Sequence, residues 1–289
     1  MKLLSSQISA GTLYVVATPI GNLFDMGQRA IAVLGDVDLV AAEDTRHTQK
    51  LLRHYGISAQ LISLHEHNER KRVGELIARL RNKDSIALVS DAGTPLVSDP
   101  GFLLVEQAVR EDLPVRAVPG PSAVVAALSV CGLPTDRFVF EGFLPTKSGA
   151  RRTHLARCVN ESRTLVFFEA SRRLPSTLAD MVSVFGPCRE VSVVLEISKI
   201  YERISLAPVG ELCRRLEDGE WVGRGECVLI VSGVEHIEAI ETDADRLVAA
   251  LMPHLSPRRV AEVAAEIAGG GKNMFYRKVL SSVSSGRRD

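Results

Sequence analysis

Three breaker-rich turns, each directly after a short apolar run, restrict this chain more than any other feature. They are Thr18-Pro19-Ile20-Gly21-Asn22, Ser90-Asp91-Ala92-Gly93-Thr94-Pro95 and Pro119-Gly120-Pro121-Ser122-Ala123. The runs before them are Leu13–Ala17, Ile86–Val89 and Val115–Val118. Short runs rich in Val, Ile and Leu, separated by helical patterns, read as buried strands of a parallel sheet. Ligands of such sheets bind outside the carboxyl ends of the strands. Gly lets the backbone approach a ligand, Pro sets the turn, and Asp or Ser offers a polar contact. The three turns predict a small-molecule pocket on one sheet rim.

The same alternation organises the rest of the chain. Strands are expected over 12–17, 38–42, 60–63, 85–89 and 114–118, with helices over 27–34, 45–54, 68–81, 99–110 and 121–131. Gly132-Leu133-Pro134-Thr135 marks a boundary. Beyond it, strands are expected over 137–142, 163–168, 190–196, 201–206 and 226–232, and helices over 149–159, 172–185 and 208–217. The close pair 190–196 and 201–206 can form a hairpin, which would make this second sheet mixed. From Glu241 the pattern turns helical, over 243–252, 257–267 and 272–282, before a Ser- and Arg-rich tail expected to be disordered. The fold class is α/β: two α/β domains, 1–132 and 133–240, with a helical segment over 241–289.

Lys and Arg number 35 and so do Asp and Glu, so net charge alone implies no polyanionic partner. The start of the chain lacks the apolar core of a signal peptide. The longest apolar stretch, Ala123–Val130, is too short to span a bilayer. Five scattered cysteines with no C-x-x-C point to reduced thiols in a cytoplasmic protein, with neither disulfide nor zinc site.

Each constellation has a plain reading beside a functional one. In the turn after the fourth strand, Asp91 has no helix to cap, which favours ligand contact. The following Ser98-Asp99-Pro100-Gly101 reads as the N-cap and first residue of a helix. Ser122 and Ala123 open an apolar helix, so packing and nucleoside binding stand level there. Glu43-Asp44-Thr45-Arg46-His47 closes the second strand, as an N-cap with a surface Arg or as substrate contact. His65-Glu66-His67 lacks a third ligand, so no metal is expected. There is no G-x-G-x-x-G, and Gly269-Gly270-Gly271-Lys272 is not a phosphate loop. Lys147, Arg151 and Arg152, and the terminal Lys272, Asn273, Tyr276 and Arg277, combine cations with a stacking ring. Scattered on helices such charges are solvated faces, but this combination suits RNA.

Together, Thr18-Pro19-Ile20-Gly21-Asn22-Leu23, Ala42-Glu43-Asp44-Thr45-Arg46-His47-Thr48, the stretch from Ser90 to Gly101, Pro119-Gly120-Pro121 and Glu141-Gly142-Phe143-Leu144-Pro145 closely resemble one family. It is the tetrapyrrole-methylase-like superfamily of S-adenosylmethionine-dependent enzymes (class III methyltransferases), in its branch of bacterial small-subunit rRNA (cytidine-2′-O-)-methyltransferases. The resemblance covers roughly residues 12 to 280. It implies a cofactor cleft between two α/β domains, a homodimer, and methylation of a decoding-site cytidine ribose in 16S rRNA or the 30S subunit. By motif position it implies S-adenosylmethionine contacts at Gly21, Asp91, Gly93, Thr94, Ser122, Ala123 and Phe168. Three positions depart from the family pattern: Arg172 replaces an expected His, Leu195 an expected Arg, and Arg224 an expected Lys.

A ribose hydroxyl is a weak acid, so a base or a cation should assist its methylation. Asp44, Glu196 and Glu226 are the candidate bases, and Arg46 and Lys199 the candidate cations. The alternatives are a tetrapyrrole C-methyltransferase and a non-catalytic RNA-binding protein that keeps the pocket as a relic. The low aromatic content, 5%, weighs against a macrocycle cleft.

Overall fold

The computed structural model describes residues 8–219, 225–234, 246–268 and 271–285. These fall into two compact units, one ending at Ser232 and one beginning at Gly233.

The first unit holds two five-stranded sheets. In the first sheet β1 (Leu13–Val16), β2 (Leu39–Ala42), β3 (Leu61–Ser63), β4 (Ile86–Val89) and β5 (Val115–Val118) run parallel in the order β3-β2-β4-β1-β5. Alternate side chains serve opposite faces. Tyr14 and Val16 join the core under α1 (Gln28–Asp36) and α2 (Thr45–His54). Leu13 and Val15 join the one under α3 (Glu69–Arg81) and α4 (Phe102–Arg110). Helices on both faces explain why these strands are continuous apolar runs.

The second sheet contains β6 (Phe138–Phe143), β7 (Thr164–Ala170), β8 (Glu190–Leu195), β9 (Arg203–Pro208) and β10 (Glu226–Val231), in the order β6-β7-β10-β8-β9. It is mixed as expected: β6 and β7 are parallel, whereas β8 and β9 form the antiparallel hairpin. One face packs on α6 (Ser148–Arg157), α7 (Leu174–Phe185) and α8 (Val209–Glu217). On the other face Val166, Val194, Val228 and Ile230 pack against Val124, Ala127 and Leu128 of α5 (Ala123–Val130). Helix α5 follows the third turn directly, so its apolar burial sets the second sheet beside the first sheet's carboxyl rim.

Two sequence expectations are corrected here. Helix α4 begins at Phe102 and not at Asp99; its N-cap is Gly101. Leu96 and Ser98, both at positive φ, turn the preceding loop away from a helical entry. The free amides are met from a distance instead, by the buried Glu69 carboxylate, which accepts from Gly101 N (3.1 Å) and Leu103 N (2.8 Å). The second correction is Arg151, expected on an RNA-binding surface. It is 2% exposed, with its Nε 2.7 Å from Asp180 Oδ2 and its remaining donors on the carbonyls of Pro145, Thr146 and Ser176. Arg151 ties α6 to α7. Its neighbour Arg152 and Lys147 remain exposed.

The second unit has its own small core. Residues 246–251 are helical, and the helices Pro257–Ala268 and Lys272–Ser285 follow. Val248, Val260, Ala261, Ala264, Phe275 and Val279 are buried together. Part of the expected helix 243–252, Gly269-Gly270 and the tail beyond Ser285 lie outside the described residues. Among the described residues no helix is long and apolar enough to cross a membrane.

Two stability outcomes follow. Glu69→Ala leaves the start of α4 uncapped and should lower unfolding free energy by about 1–3 kcal/mol in urea titrations, whereas Glu69→Gln, still an acceptor, should keep most of it. Arg151→Ala strands the Asp180 carboxylate and should cost about 3–5 kcal/mol. Arg152→Ala should leave the urea midpoint unchanged.

Candidate active site

The turns after β1, β4 and β5 belong to three adjacent strands and are stitched to one another. Thr18 and Gly93 exchange both backbone hydrogen bonds, at 2.9 and 3.1 Å, and the Thr18 hydroxyl donates to Ser90 O. The Thr94 hydroxyl donates to Pro121 O at 3.0 Å. Together they form the floor of a cavity of about 520 Å³.

The walls come from both sheets. From the first come Ile20, Glu43, Ala92, Val97 and Ser98, with Asp91, Gly93, Thr94, Asp99, Ser122 and Ala123. The second contributes Phe143, Phe168, Val194, Ile197, Glu226 and Val228. Phe168 stacks edge-on with Phe140 and Phe143, at centroid distances of 4.9 and 5.2 Å. Of the expected cofactor contacts, Asp91, Gly93, Thr94, Ser122, Ala123 and Phe168 line this cavity and Gly21 does not. Gly21 serves another purpose: a Cβ there would overlap the Lys199 stem lying across it.

The carboxylates around the cavity differ in how they are held. Asp91 Oδ1 accepts from Asp44 N at 3.1 Å, so Asp91 ties the end of β4 to the end of β2 while facing the cavity. Burial and the Asp91 charge raise the Glu43 carboxyl, against the Asp91 amide and His65. Glu226 receives Lys199 Nζ at 3.0 Å, and the same ammonium reaches Glu196 at 2.9 Å. Burial disfavours the Glu196 charge, but the Glu226 amide and Lys199 outweigh it and hold Glu196 below the usual range. Lys199 is desolvated too, yet its two carboxylate partners hold its proton more firmly than usual. This triad closes around Gly225, where a Cβ would overlap Glu196. Glu169 is part of the cavity wall, with its carboxylate buried and shared by Arg173, the Thr177 hydroxyl and its neighbour's amide.

Burial pushes the Asp99 carboxyl up to about 6, with Glu43 and Asp91 adding like-charge repulsion against a Ser90 hydrogen bond. The sequence alone places Asp99 at a helix cap and gives Glu43 no role of its own. Both face the cavity. The available signal for Glu43 was strand alternation: side chains one apart point to opposite faces, and Glu43, not Asp44, turns inward.

The other expected catalytic positions are placed differently. Asp44 caps α2, accepting from Arg46 N at 2.8 Å, and that bond holds its carboxyl below the usual range. The Arg46 side chain is 89% exposed. Neither lines the cavity, nor do Glu196 and Lys199. Arg172 is exposed, Leu195 is buried in the second sheet's core, and Arg224 lies outside the described residues. In the second unit, Lys272, Asn273, Tyr276 and Arg277 are exposed, and Lys272 pairs with Glu262 at 3.5 Å.

The comparisons agree with this geometry. A family model described as Tetrapyrrole (Corrin/Porphyrin) Methylases matches residues 12–213, and one described as the RsmI C-terminal HTH domain matches residues 238–282. The Ribosomal RNA small subunit methyltransferase I of Pseudomonas aeruginosa is 49% identical over 276 residues, 94% of this chain and 98% of that one. The Escherichia coli protein of the same name is 48% identical over 277 residues, 96% of this chain and 97% of that one. Among solved structures, uroporphyrin-III C-methyltransferase from Thermus thermophilus, complexed with S-adenosyl homocysteine, shares the fold at a TM-score of 0.51 and 19% identity, covering 76% of this chain and 96% of that one. The chain therefore belongs to the tetrapyrrole methylase family and, within it, to the ribosomal RNA small subunit methyltransferase I branch.

Proposed function

We propose that this chain transfers the methyl group of S-adenosylmethionine to the ribose 2′-hydroxyl of a decoding-site cytidine in the 16S rRNA of the small ribosomal subunit. The observation that carries the reading is the convergence of all three turns on one cavity of nucleoside-ligand size. Glu43 and Asp91 give it the negative lining that a sulfonium needs, and Phe168, Val194 and Val228 give it apolar wall for an adenine. Bound there, S-adenosylmethionine supplies an activated methyl group. The chain's own work is to align donor and hydroxyl and to accept a proton.

The cytoplasm follows from that substrate. Residues 1–132 and 133–240 would build the cofactor cleft, 241–289 would hold RNA through Lys272, Asn273, Tyr276 and Arg277, and in the first unit Lys147 and Arg152 are separate candidate RNA contacts. Arg46, exposed beside the α2 N-terminus, suits a phosphate near the target. Homodimerisation belongs to the same proposal. Exposed Val125 and Val130 of α5 and Ile204 and Leu206 of β9 offer an apolar surface for it. The tetrapyrrole reading is weaker, because the curated rRNA methyltransferases share 42–49% identity with this chain against 19% for the uroporphyrin enzyme.

The deciding assay offers tritiated S-adenosylmethionine with immature 30S subunits, naked 16S rRNA and a tetrapyrrole precursor. Label recovered as 2′-O-methylcytidine is expected; label in the tetrapyrrole alone, or nowhere, overturns the proposal. Calorimetry should show cofactor binding that survives EDTA and weakens at least tenfold, about 1.4 kcal/mol, in Asp91→Ala. Removing residues 233–289, a unit with its own core, should leave cofactor affinity within a few-fold while RNA binding falls tenfold or more in filter binding. Lost cofactor affinity in a folded truncation would assign that segment to the pocket.

A further inference from the structure

We propose that Asp99 is the catalytic base that takes the proton from the attacking hydroxyl. The inference rests on the methyl-transfer reading above and assigns the step that reading leaves open. Its ground is the partnering of the carboxylates around the cavity. Glu226 and Glu196 share the Lys199 ammonium. Glu169 is saturated by Arg173 and Thr177, Asp91 is pinned by the Asp44 amide, and Glu43 lies where the Asp91 amide and His65 favour its charged form. Asp44, off the cavity, is spent on the α2 cap. Among the described residues, Asp99 lines the cavity held by neither a cation nor a backbone amide, and burial beside Glu43 and Asp91 pushes its carboxyl up to about 6; the nearby Ser90 hydroxyl donates to Ala92 O at 3.3 Å.

A base must have a free lone pair, and a carboxylate already paired with an ammonium gives up that pairing when it takes a proton. Asp99 has no such pairing to give up. The charged groups facing it, Glu43 after β2 and Asp91 after β4, both favour its protonated form, and Glu226 on the far wall is met by Lys199. Asp99 is thus a stronger base than an ordinary carboxylate and is still ionised at neutral pH, the balance that general base catalysis favours. Two non-glycine residues at positive φ, Leu96 and Ser98, lie in the loop that brings Asp99 to the cavity. In the step, the O–H bond breaks and its proton passes to an Asp99 oxygen. The hydroxyl oxygen forms the bond to the methyl carbon, and the carbon–sulfur pair stays on sulfur, leaving a neutral thioether.

The test is Asp99→Asn in the full chain. With saturating 30S substrate, turnover should fall a hundredfold or more while cofactor affinity by calorimetry stays within a few-fold. Wild-type kcat/KM should rise about tenfold per pH unit below 6 and level above 7, and the residual rate of the variant should be flat across that range. Carbon-13 carboxyl NMR of the cofactor-free protein should show a resonance titrating near 6 that is missing in the variant. Near-normal turnover in Asp99→Asn overturns the assignment, as does a loss traced wholly to weaker cofactor binding. If that variant does not fold, a wild-type profile without a break below pH 7 overturns it as well. A wild type that methylates no RNA sinks the functional reading itself, and an active wild type with an equally active variant sinks only Asp99.

Discussion

Thr18 and Gly93 exchange two backbone hydrogen bonds, and the rest of the site hangs on that exchange. It fixes the turn after β1 to the turn after β4, and Thr94 passes the constraint on to Pro121 at the head of α5. Loops with unpaired polar backbone would be mobile; these have their donors and acceptors met by one another, so the rim is rigid before any ligand arrives. Helix α5 then carries the constraint onward, because its apolar side chains pack on the second sheet. The position of Phe168, Val194 and Val228 relative to Asp91 is a consequence of this chain of contacts.

The charges around the cavity show a division of labour set by partners. Lys199 serves two carboxylates, and its stem lies flat on Gly21, where no larger residue leaves room. Glu169 and Arg173 form a buried pair at the cavity wall, as Arg151 and Asp180 do between α6 and α7. Pairs of this kind fix geometry; removing one member leaves an unmatched buried charge. Against that background, a half-buried carboxyl with no cation or amide partner among the described residues stands apart, which is why Asp99 and not the more conspicuous Glu196 or Asp44 is given the proton.

The architecture was legible because its signals are local. All ten strands were expected within two or three residues of where they lie, since apolar runs bounded by Gly and Pro are a direct imprint of buried parallel strands. The three turns were legible as a pocket for the same reason. Arg151 and Arg152 were not separable: adjacent arginines on one helix look alike in a sequence, and only the arrival of Asp180 from α7 buries one of them. Asp99 looks like a cap in the sequence because Ser-Asp-Pro-Gly is a good local cap signal. The competing cap, Glu69, comes from another helix thirty-odd positions away.

What the sequence determined by itself is therefore the set of elements, the two-sheet α/β class and the rim on which a ligand would sit. These depend on periodicity and turn chemistry, which act over a few residues. The tertiary structure decided which side chains stay free to act. Partnering is a long-range property: Asp91 finds the Asp44 amide just past β2, Glu226 finds a lysine beyond β8, and Asp99, among the described residues, finds neither an amide nor a cation. Proton affinity follows from those neighbours and from burial, and neither quantity exists until the chain has folded.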